Sequence, residues 1–255
     1  MAATAPAGSS NQPVAGTVQH PYSAFPNWLY PAWVVFWLGL FVVYAGLVVL
    51  FETGGRYGPY LSPFFSPEIN LRVGGFLIPP AIWVAWAPLL FRLTCYYYRK
   101  AYFRSFLWHP RSCAVDEPRR GTYRGETGFW IFNNLHRYAF YAIALQTLFL
   151  LYDAIVALFQ HGQLGAPLGV GNLLMLVNVV ALSGYTYGCH AFRHLAGGGV
   201  DCFSCHRTRF TLWKGVTILN VRHDRWAWAS MFTVWGTDVY IRLLIHGVLP
   251  HAPWN

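Results

Sequence analysis

The sequence predicts an all-α protein, an integral membrane bundle of five transmembrane helices with its N-terminus in the cytoplasm. Composition is the first reason, because 55% of the 255 residues are hydrophobic and only 11% are charged. The second reason is that the apolar residues fall into five runs, each long enough to cross ~30 Å of bilayer hydrocarbon. The third is the position of the basic residues, which flank these runs mainly on one side.

The second of the five predicted spans is the least regular. It covers residues 76–93, and Pro79, Pro80 and Pro88 are expected to kink it, because proline lacks the backbone N–H that a helix interior needs. The other predicted spans cover residues 31–51, 129–159, 168–189 and 226–249. Such a chain is expected to be a multi-pass protein of the cell inner (plasma) membrane.

The sequence predicts a tail outside the bundle and a single domain that forms the bundle. Residues 1–26 are rich in Ala, Pro, Gly and Ser and contain no Lys or Arg, so they lack the basic segment of a secretory signal and are predicted to be a disordered tail. The longest connections between spans, residues 94–128 and 190–225, are too short to hold a separate soluble domain. Residues 27–255 are therefore predicted to form one membrane-anchor domain.

The basic residues predict the orientation, because cytoplasmic loops collect Lys and Arg. Residues 92–128 and 190–225 hold fourteen of the eighteen Lys and Arg, and both stretches fall on the same side of a five-span bundle as the N-terminus. That side is therefore predicted to be cytoplasmic, and the C-terminus is predicted to lie outside.

The net charge of +9 indicates acidic partners. Nucleic acid is excluded as the partner, because the basic residues border membrane spans and no recognised nucleic-acid motif accompanies them. Anionic membrane lipids and a docked acidic cytoplasmic subunit both fit this charge. Residues 95–104 interleave aromatic and basic side chains, a pattern typical of protein interfaces and also of interfacial aromatic belts.

Residues 188–206 contain three of the five cysteines and three of the ten histidines. Cys202 and Cys205 have the spacing at which two thiolates from one loop reach the same ion, and His190 and His194 share one helix face. A set of two histidines and two cysteines suits a tetrahedral zinc ion or a [2Fe–2S] cluster of Rieske type. The predicted site lies at the cytoplasmic end of the fourth span.

Six side chains compete for these four places, and two of them are alternates. Cys189 is about 100° around the helix from His190, and His206 follows directly after the Cys pair. The glycines at 197–199 allow the chain to fold back and bring the cysteines toward the histidines. The spacing matches neither of the two loop motifs of a conventional Rieske site. The other two cysteines, Cys95 and Cys113, are predicted to be structural, and thiols in a reducing compartment are expected to stay reduced unless they bind a cofactor.

The five spans, the segment 27–33 (NWLYPAW), the basic loops and the Cys/His cluster together resemble the membrane-anchor (cytochrome b-like) subunit of actinobacterial succinate dehydrogenases, over essentially the whole chain. The resemblance implies a non-flavin subunit, without activity alone, that binds a flavoprotein subunit and an iron–sulfur subunit on its cytoplasmic face. It further implies a Rieske-type [2Fe–2S] cluster in the anchor and electron transfer to menaquinone.

The sequence is also compatible with two other groups bound by these histidines and cysteines, haem b and zinc. Haem b requires opposed histidines inside the bundle, and His136, His246 and His190 are available, although two haems would need four such ligands. A zinc ion held by two histidines and two cysteines would instead make the loop part of a membrane scaffold without redox activity.

The remaining candidates are aromatic and charged side chains at the membrane. A quinone ring needs an aromatic slot and a hydrogen-bond donor, and the predicted quinone-binding residues near the cytoplasmic interface are Trp28, Tyr30, Trp33, His206, Trp226 and Trp228. Asp238 and Arg242 are expected to pair across one helical turn of the fifth span, in a structural or a functional role.

Overall fold

The computed structural model describes residues 28–107, 130–159, 169–198, 200 and 202–249. The predicted tail, Cys113 and the larger part of the connection 94–128 lie outside the described residues. The helices of the described part are, in chain order, α1 Leu29–Phe51, α2 Pro80–Val84, α3 Trp86–Thr94, α4 Tyr96–Ser105, α5 Trp130–Leu158, α6 Val170–Tyr187, α7 His190–Gly197, α8 Arg207–Asn220 and α9 His223–Ile245.

Three of the described helices are long and apolar enough to cross a membrane: α1, residues 135–158 of α5, and α6. They coincide with the first, third and fourth predicted spans. Helix α6 is the most buried of the three and packs against α5 and α9, whereas α1 leaves most of its apolar side chains exposed. An apolar helix without a polar face is suited to contact with lipid. The bundle therefore has α6 at its centre and α1 at its periphery.

The second predicted span, residues 76–93, is divided into several short elements. It starts as a strand, and its helical part is split between α2, which begins at Pro80, and α3, which begins at Trp86. Pro88 has no N–H to donate to the carbonyl of Val84, and α2 ends at Val84. The expected kink is thus a break between two helices, which together form a short apolar segment.

Two small hairpins lie between α1 and α2 in a fold that is otherwise helical, as predicted. Strands β1 (Arg56–Tyr57) and β2 (Tyr60–Leu61) pair antiparallel, as do β3 (Leu71–Val73) and β4 (Phe76–Ile78). Gly74 and Gly75 form the two-residue turn of the second hairpin with φ of 57° and 86°. A turn with two positive φ angles matches the twist of the flanking strands. Strands of two or three residues are too short to give an alternating pattern in the sequence.

Helix α9 corresponds to the fifth predicted span and contains a buried charged pair. The Asp238 side chain is fully buried, and it accepts hydrogen bonds from the hydroxyls of Tyr44 and Ser62 and, at 2.8 Å, from Nε of Arg242. The pairing of Asp238 with Arg242 across one turn is confirmed. Arg242 also forms an ion pair with Glu52 at 2.9 Å. These contacts compensate for placing charge inside an apolar bundle.

Helices α7 and α8 form an excursion between α6 and α9 and pack against each other. Arg193 of α7 donates to the hydroxyl of Thr217 at 3.1 Å and lies over the Trp213 ring of α8. Arg209 of α8 donates in return to the carbonyl oxygen of Ala196 in α7. The core cluster at this end of the bundle contains aromatic residues of α3, α5 and α6 together with two cysteines, Cys95 and Cys189.

Candidate functional site

The four predicted loop ligands form two separate pairs. The Nε2 atoms of His190 and His194 lie 3.1 Å apart on α7, and a disulfide joins Cys202 to Cys205. Of the alternates, Cys189 is the N-cap of α7, and His206 is the N-cap of α8. In the part of the chain that the structure describes, no three His, Cys, Asp or Glu side chains are grouped closely enough to hold a metal ion.

The histidine pair stands at the surface. Both rings are exposed, and partial burial together with the neighbouring His194 ring lowers the pKa of His190. This shift favours the neutral form of the His190 ring. The cysteines differ from the expectation of reduced thiols, because the CxxC turn brings their Sγ atoms within bonding distance.

A second group of two cysteines and two histidines lies inside the bundle, and we call it the buried Cys/His set: Cys95, His136, Cys189 and His223. His136 Nε2 is 2.9 Å from Cys189 Sγ, and His223 Nε2 is 3.6 Å from Cys95 Sγ. The exposed fractions of Cys95, His136 and Cys189 are only 2%, 8% and 1%. Cys95 and Cys189 belong to the same core cluster, so the two pairs are neighbours.

Helix ends of the bundle position these four side chains. Cys95 lies between α3 and α4, Cys189 lies between α6 and α7, and His223 is the first residue of α9. His136 comes from α5, close to where that helix begins. Each residue thus comes from a different part of the chain, and all four meet at the same end of the bundle.

The ring of His136 is held in one orientation and one tautomer. Phe91 stacks on it at a centroid distance of 4.5 Å, and Thr94 Oγ1 is 2.9 Å from its Nδ1. The Thr94 hydroxyl donates its single hydrogen to the carbonyl of Leu90 at 2.7 Å, so it accepts from His136 Nδ1–H. The lone pair of His136 is therefore on Nε2, which points toward Cys189. A metal-binding imidazole requires this arrangement.

Among the residues that the structure describes, two polar atoms beside the buried Cys/His set are buried without a hydrogen-bond partner. They are the Tyr185 hydroxyl and His223 Nδ1, and the Tyr185 ring stacks on His223 at 4.9 Å. A buried polar atom without a partner costs about 1–3 kcal/mol, so such atoms call for an explanation, for example an ion or water that completes the site. Two thiols and two imidazoles are the donor set of a Rieske-type cluster, and three of these four residues are buried while His223 is partly buried. The donor types match such a group, whose two irons take two protein ligands each, so the four donors need not converge on a single ion.

Sequence reasoning missed most of this set. It treated Cys95 as structural, His136 as a haem candidate and Cys189 as an alternate loop ligand, and it did not single out His223. A usable signal was present, since four of the five predicted spans each bring one Cys or His to the same predicted membrane face. The signal is weak in the sequence because the partners are far apart, by 53 and 128 residues.

Three of the predicted quinone residues lie together with one unpredicted tyrosine. The rings of Trp33 and Trp228 are 4.5 Å apart, and Tyr30 stacks on Trp33 at 6.4 Å. The indole Nε1 of Trp228 donates to the hydroxyl of Tyr97 at 2.8 Å. We call Tyr30, Trp33, Tyr97 and Trp228 the aromatic slot. It provides the flat apolar surfaces and hydroxyl donors that a quinone ring requires.

The other three predicted quinone residues are placed differently. Trp226 packs against α6, where a Cβ on Gly184 would come within 2.5 Å of its ring. His206 is exposed at the start of α8, and Trp28 is exposed at the start of α1. The absence of a side chain at Gly184 lets α6 and α9 approach each other, and this gives Trp226 a packing role.

The long apolar helices α1, α5 and α6 indicate an integral membrane protein, and a group of two thiols and two imidazoles lies at one end of its bundle. The family model described as "Actinobacterial succinate dehydrogenase subunit SdhC" matches residues 29–247. The chain belongs to this family, and it is a membrane subunit of succinate dehydrogenase.

A solved structure and a sequence search complete the comparison. The chain is similar to a chain of the structure entitled "Mycobacterium smegmatis Sdh1 complex in the apo form", with 35% sequence identity and a TM-score of 0.78. The match covers 99% of this chain and 100% of that chain. No curated protein sequence gives a significant match.

Proposed function

We propose that this subunit receives electrons from succinate oxidation at the cytoplasmic end of the bundle and delivers them to menaquinone in the membrane. Succinate loses two electrons and two protons when it becomes fumarate, and a quinone takes up two of each when it becomes a quinol. Family membership and the similarity to a subunit of an Sdh complex support this assignment. The partners are then a flavoprotein subunit and an iron–sulfur subunit, bound on the cytoplasmic face.

The convergence of Cys95, His136, Cys189 and His223 from four parts of the chain carries the proposal for electron transfer. We assign this buried Cys/His set as the ligands of a Rieske-type [2Fe–2S] cluster. A cluster of this type supplies one-electron transfer at a potential of roughly −150 to +300 mV, against ≈ −400 mV for plant-type ferredoxins. Menaquinone reduction from a modest donor such as succinate needs that higher range.

The residues around the set have roles that follow from their contacts. Thr94 orients His136 and fixes its tautomer, while the stacked rings of Phe91 and Tyr185 exclude water from both imidazoles. The hydrophobic shell and the hydrogen bonds to the ligands are among the factors that set the potential of such a site. The position of the set also supports electron transfer, because the set lies at the end of the bundle that is predicted to face the soluble subunits.

The loop residues His190, His194, Cys202 and Cys205 stay a predicted alternative for the cluster. The buried set is better suited, because three of its four residues are buried and one of its imidazoles has an assigned tautomer. The loop pairs instead stand at the surface, and their cysteines are bonded to each other. The two sets can be separated by experiment, since no residue belongs to both.

An electron paramagnetic resonance (EPR) spectrum of the purified, dithionite-reduced complex tests the proposal. We expect a signal with a low average g value, together with iron and acid-labile sulfide beyond the content of the soluble subunits. A Soret band in place of this signal would favour the haem b anchor. Zinc without the extra iron would favour the zinc-stabilised scaffold.

The aromatic slot is the proposed site for the quinone ring. Trp228→Ala should remove one wall of the slot and the indole that holds the Tyr97 hydroxyl. Loss of a central aromatic contact costs about 2 kcal/mol or more, so the KM for a soluble menaquinone analogue should rise more than tenfold. Steady-state kinetics measure this effect. Trp86→Ala, which removes a lipid-exposed tryptophan, is the matched control, and equal effects in both variants would exclude the slot.

Docking of the soluble subunits should depend on exposed basic residues at the same end of the bundle. The variant with Lys100, Arg207, Arg222 and Arg225 reversed to Glu should lose co-purifying flavoprotein, because each ion pair is worth about 0.2–1 kcal/mol and reversal adds repulsion. Pull-down at low and high salt measures the loss. Arg72→Glu, in the exposed hairpin predicted to face outside, should have no effect. Unchanged co-purification of the fourfold variant would place the dock elsewhere.

A further inference from the structure

Arg92, in the last turn of α3, is a partly buried cation with no carboxylate at ion-pair distance among the residues that the structure describes. Its guanidinium donates to the Tyr98 hydroxyl, to the carbonyl of Ala227 at 3.4 Å and to the hydroxyl of Ser230 at 3.0 Å. These partners are neutral. A cation removed from water is normally paired with a negative group, so the charge of Arg92 is not balanced by its direct contacts.

The guanidinium is fixed close to the buried Cys/His set. It lies over the rings of Tyr98 and Tyr185, at 5.2 and 4.8 Å from their centroids. The same Tyr185 ring stacks on His223. Ala227 and Ser230 belong to the first turns of α9, which begins at His223. Arg92 therefore joins α3 to the helix end that carries one of the proposed ligands.

The residues next to Arg92 in sequence contact the other ligands. Phe91 stacks on His136, Thr94 hydrogen-bonds to it, and Cys95 is itself a member of the set. The end of α3 thus supplies the charge of Arg92, two residues that contact His136, and one member of the buried Cys/His set. The hydroxyl of Tyr98 holds this arrangement, since it accepts from Arg92 and donates to Ala227 at 2.9 Å.

We propose that Arg92 is a positioning residue that stabilises the reduced state of the group held by the buried Cys/His set and thereby raises its reduction potential. The inference rests on the proposed function. Reduction adds one electron, which comes from the iron–sulfur subunit and leaves to the quinone, and it makes the site one unit more negative. A fixed cation in a low-dielectric site favours that state, because net charge and hydrogen bonds are among the determinants of the potential of an iron–sulfur group.

Redox titration of the purified whole complex, followed by EPR, tests the proposal. Arg92→Gln should lower the equilibrium constant for reduction at least tenfold, which is about 59 mV for one electron. Arg92→Lys keeps the charge and should recover most of this shift. If the Gln variant does not retain the signal, Arg92→Met preserves the packing of the stem between the two rings and should show the same loss.

Arg193→Gln is the matched control, because it also removes an arginine that lies over an aromatic ring, at 4.5 Å from Trp213, and its guanidinium contacts α8 and not a member of the buried set. Its potential should equal that of the wild type. An unchanged potential in both Arg92→Gln and Arg92→Met, with the signal present, would overturn the proposed role of Arg92. It would leave the proposed cluster unaffected. Absence of the signal and of the additional iron from the wild type would overturn the proposed cluster, and the role of Arg92 with it.

Discussion

Replacement of Cys189 by serine should abolish the low-average-g EPR signal and lower succinate-to-menaquinone activity by an order of magnitude or more. Cys189 is 1% exposed, and its Sγ lies 2.9 Å from His136 Nε2, so the variant loses one of the two sulfur donors of the buried Cys/His set. An electron-transfer barrier higher by ~1.4 kcal/mol already slows the reaction tenfold. Succinate-driven reduction of a soluble dye should persist, because that reaction takes electrons from the cytoplasmic subunits.

Cys205→Ser is the control that separates the two candidate sets. Cys205 is exposed in the loop before α8 and is disulfide-bonded to Cys202, so the variant makes the same chemical change outside the bundle. We expect it to keep the EPR signal and quinone reduction. Loss of the signal in Cys205→Ser but not in Cys189→Ser would assign the group to the loop residues instead. Normal quinone reduction in a Cys189→Ser variant that lacks the signal would show that electrons bypass the set.

The sequence was a good guide where a physical signal is local and repeated along the chain. The apolar runs at 31–51 and 168–189 predict α1 and α6 within a few residues, because a helix that meets lipid must be apolar over its full length. The hairpins at Arg56–Leu61 and Leu71–Ile78 were not predicted, since their strands have two or three residues. Pro79, Pro80 and Pro88 predicted a kink in the second span, but they did not predict that the run would divide into a strand and two helices.

The candidate site was less predictable, for a related reason. The loop set was visible because its cysteines and histidines are concentrated in residues 188–206, whereas the buried set is spread over four helix ends. Only tertiary packing brings Cys95 to His223, 128 residues away. The local concentration of Cys and His in the sequence therefore indicated the exposed loop. The residues of the buried set are instead distributed over four predicted spans, at the ends that reach the same membrane face.

The pair of Asp238 and Arg242 leads to the second prediction of large effect. Asp238→Ala should lower the free energy of unfolding by about 3–5 kcal/mol, the usual cost of leaving one partner of a buried ion pair uncompensated. Asp238 is fully buried and accepts hydrogen bonds from Tyr44, Ser62 and Arg242, so the variant leaves several donors without an acceptor. Unfolding of the purified subunit in mixed detergent micelles, titrated with a denaturing detergent, measures the change.

A double-mutant cycle distinguishes a structural pair from a functional carboxylate. Arg242→Leu removes the charge that Asp238→Ala leaves with Glu52 as its only ion-pair partner among the described residues, so the double variant should be less destabilised than the sum of the single variants, by roughly 0.5–3 kcal/mol. Glu52→Ala is the control, because Glu52 is 38% exposed and its ion pair with Arg242 should contribute only about 0–1 kcal/mol. If Asp238→Ala instead unfolds like the wild type but loses quinone reduction, the carboxylate acts in the reaction and its ion pair with Arg242 is secondary.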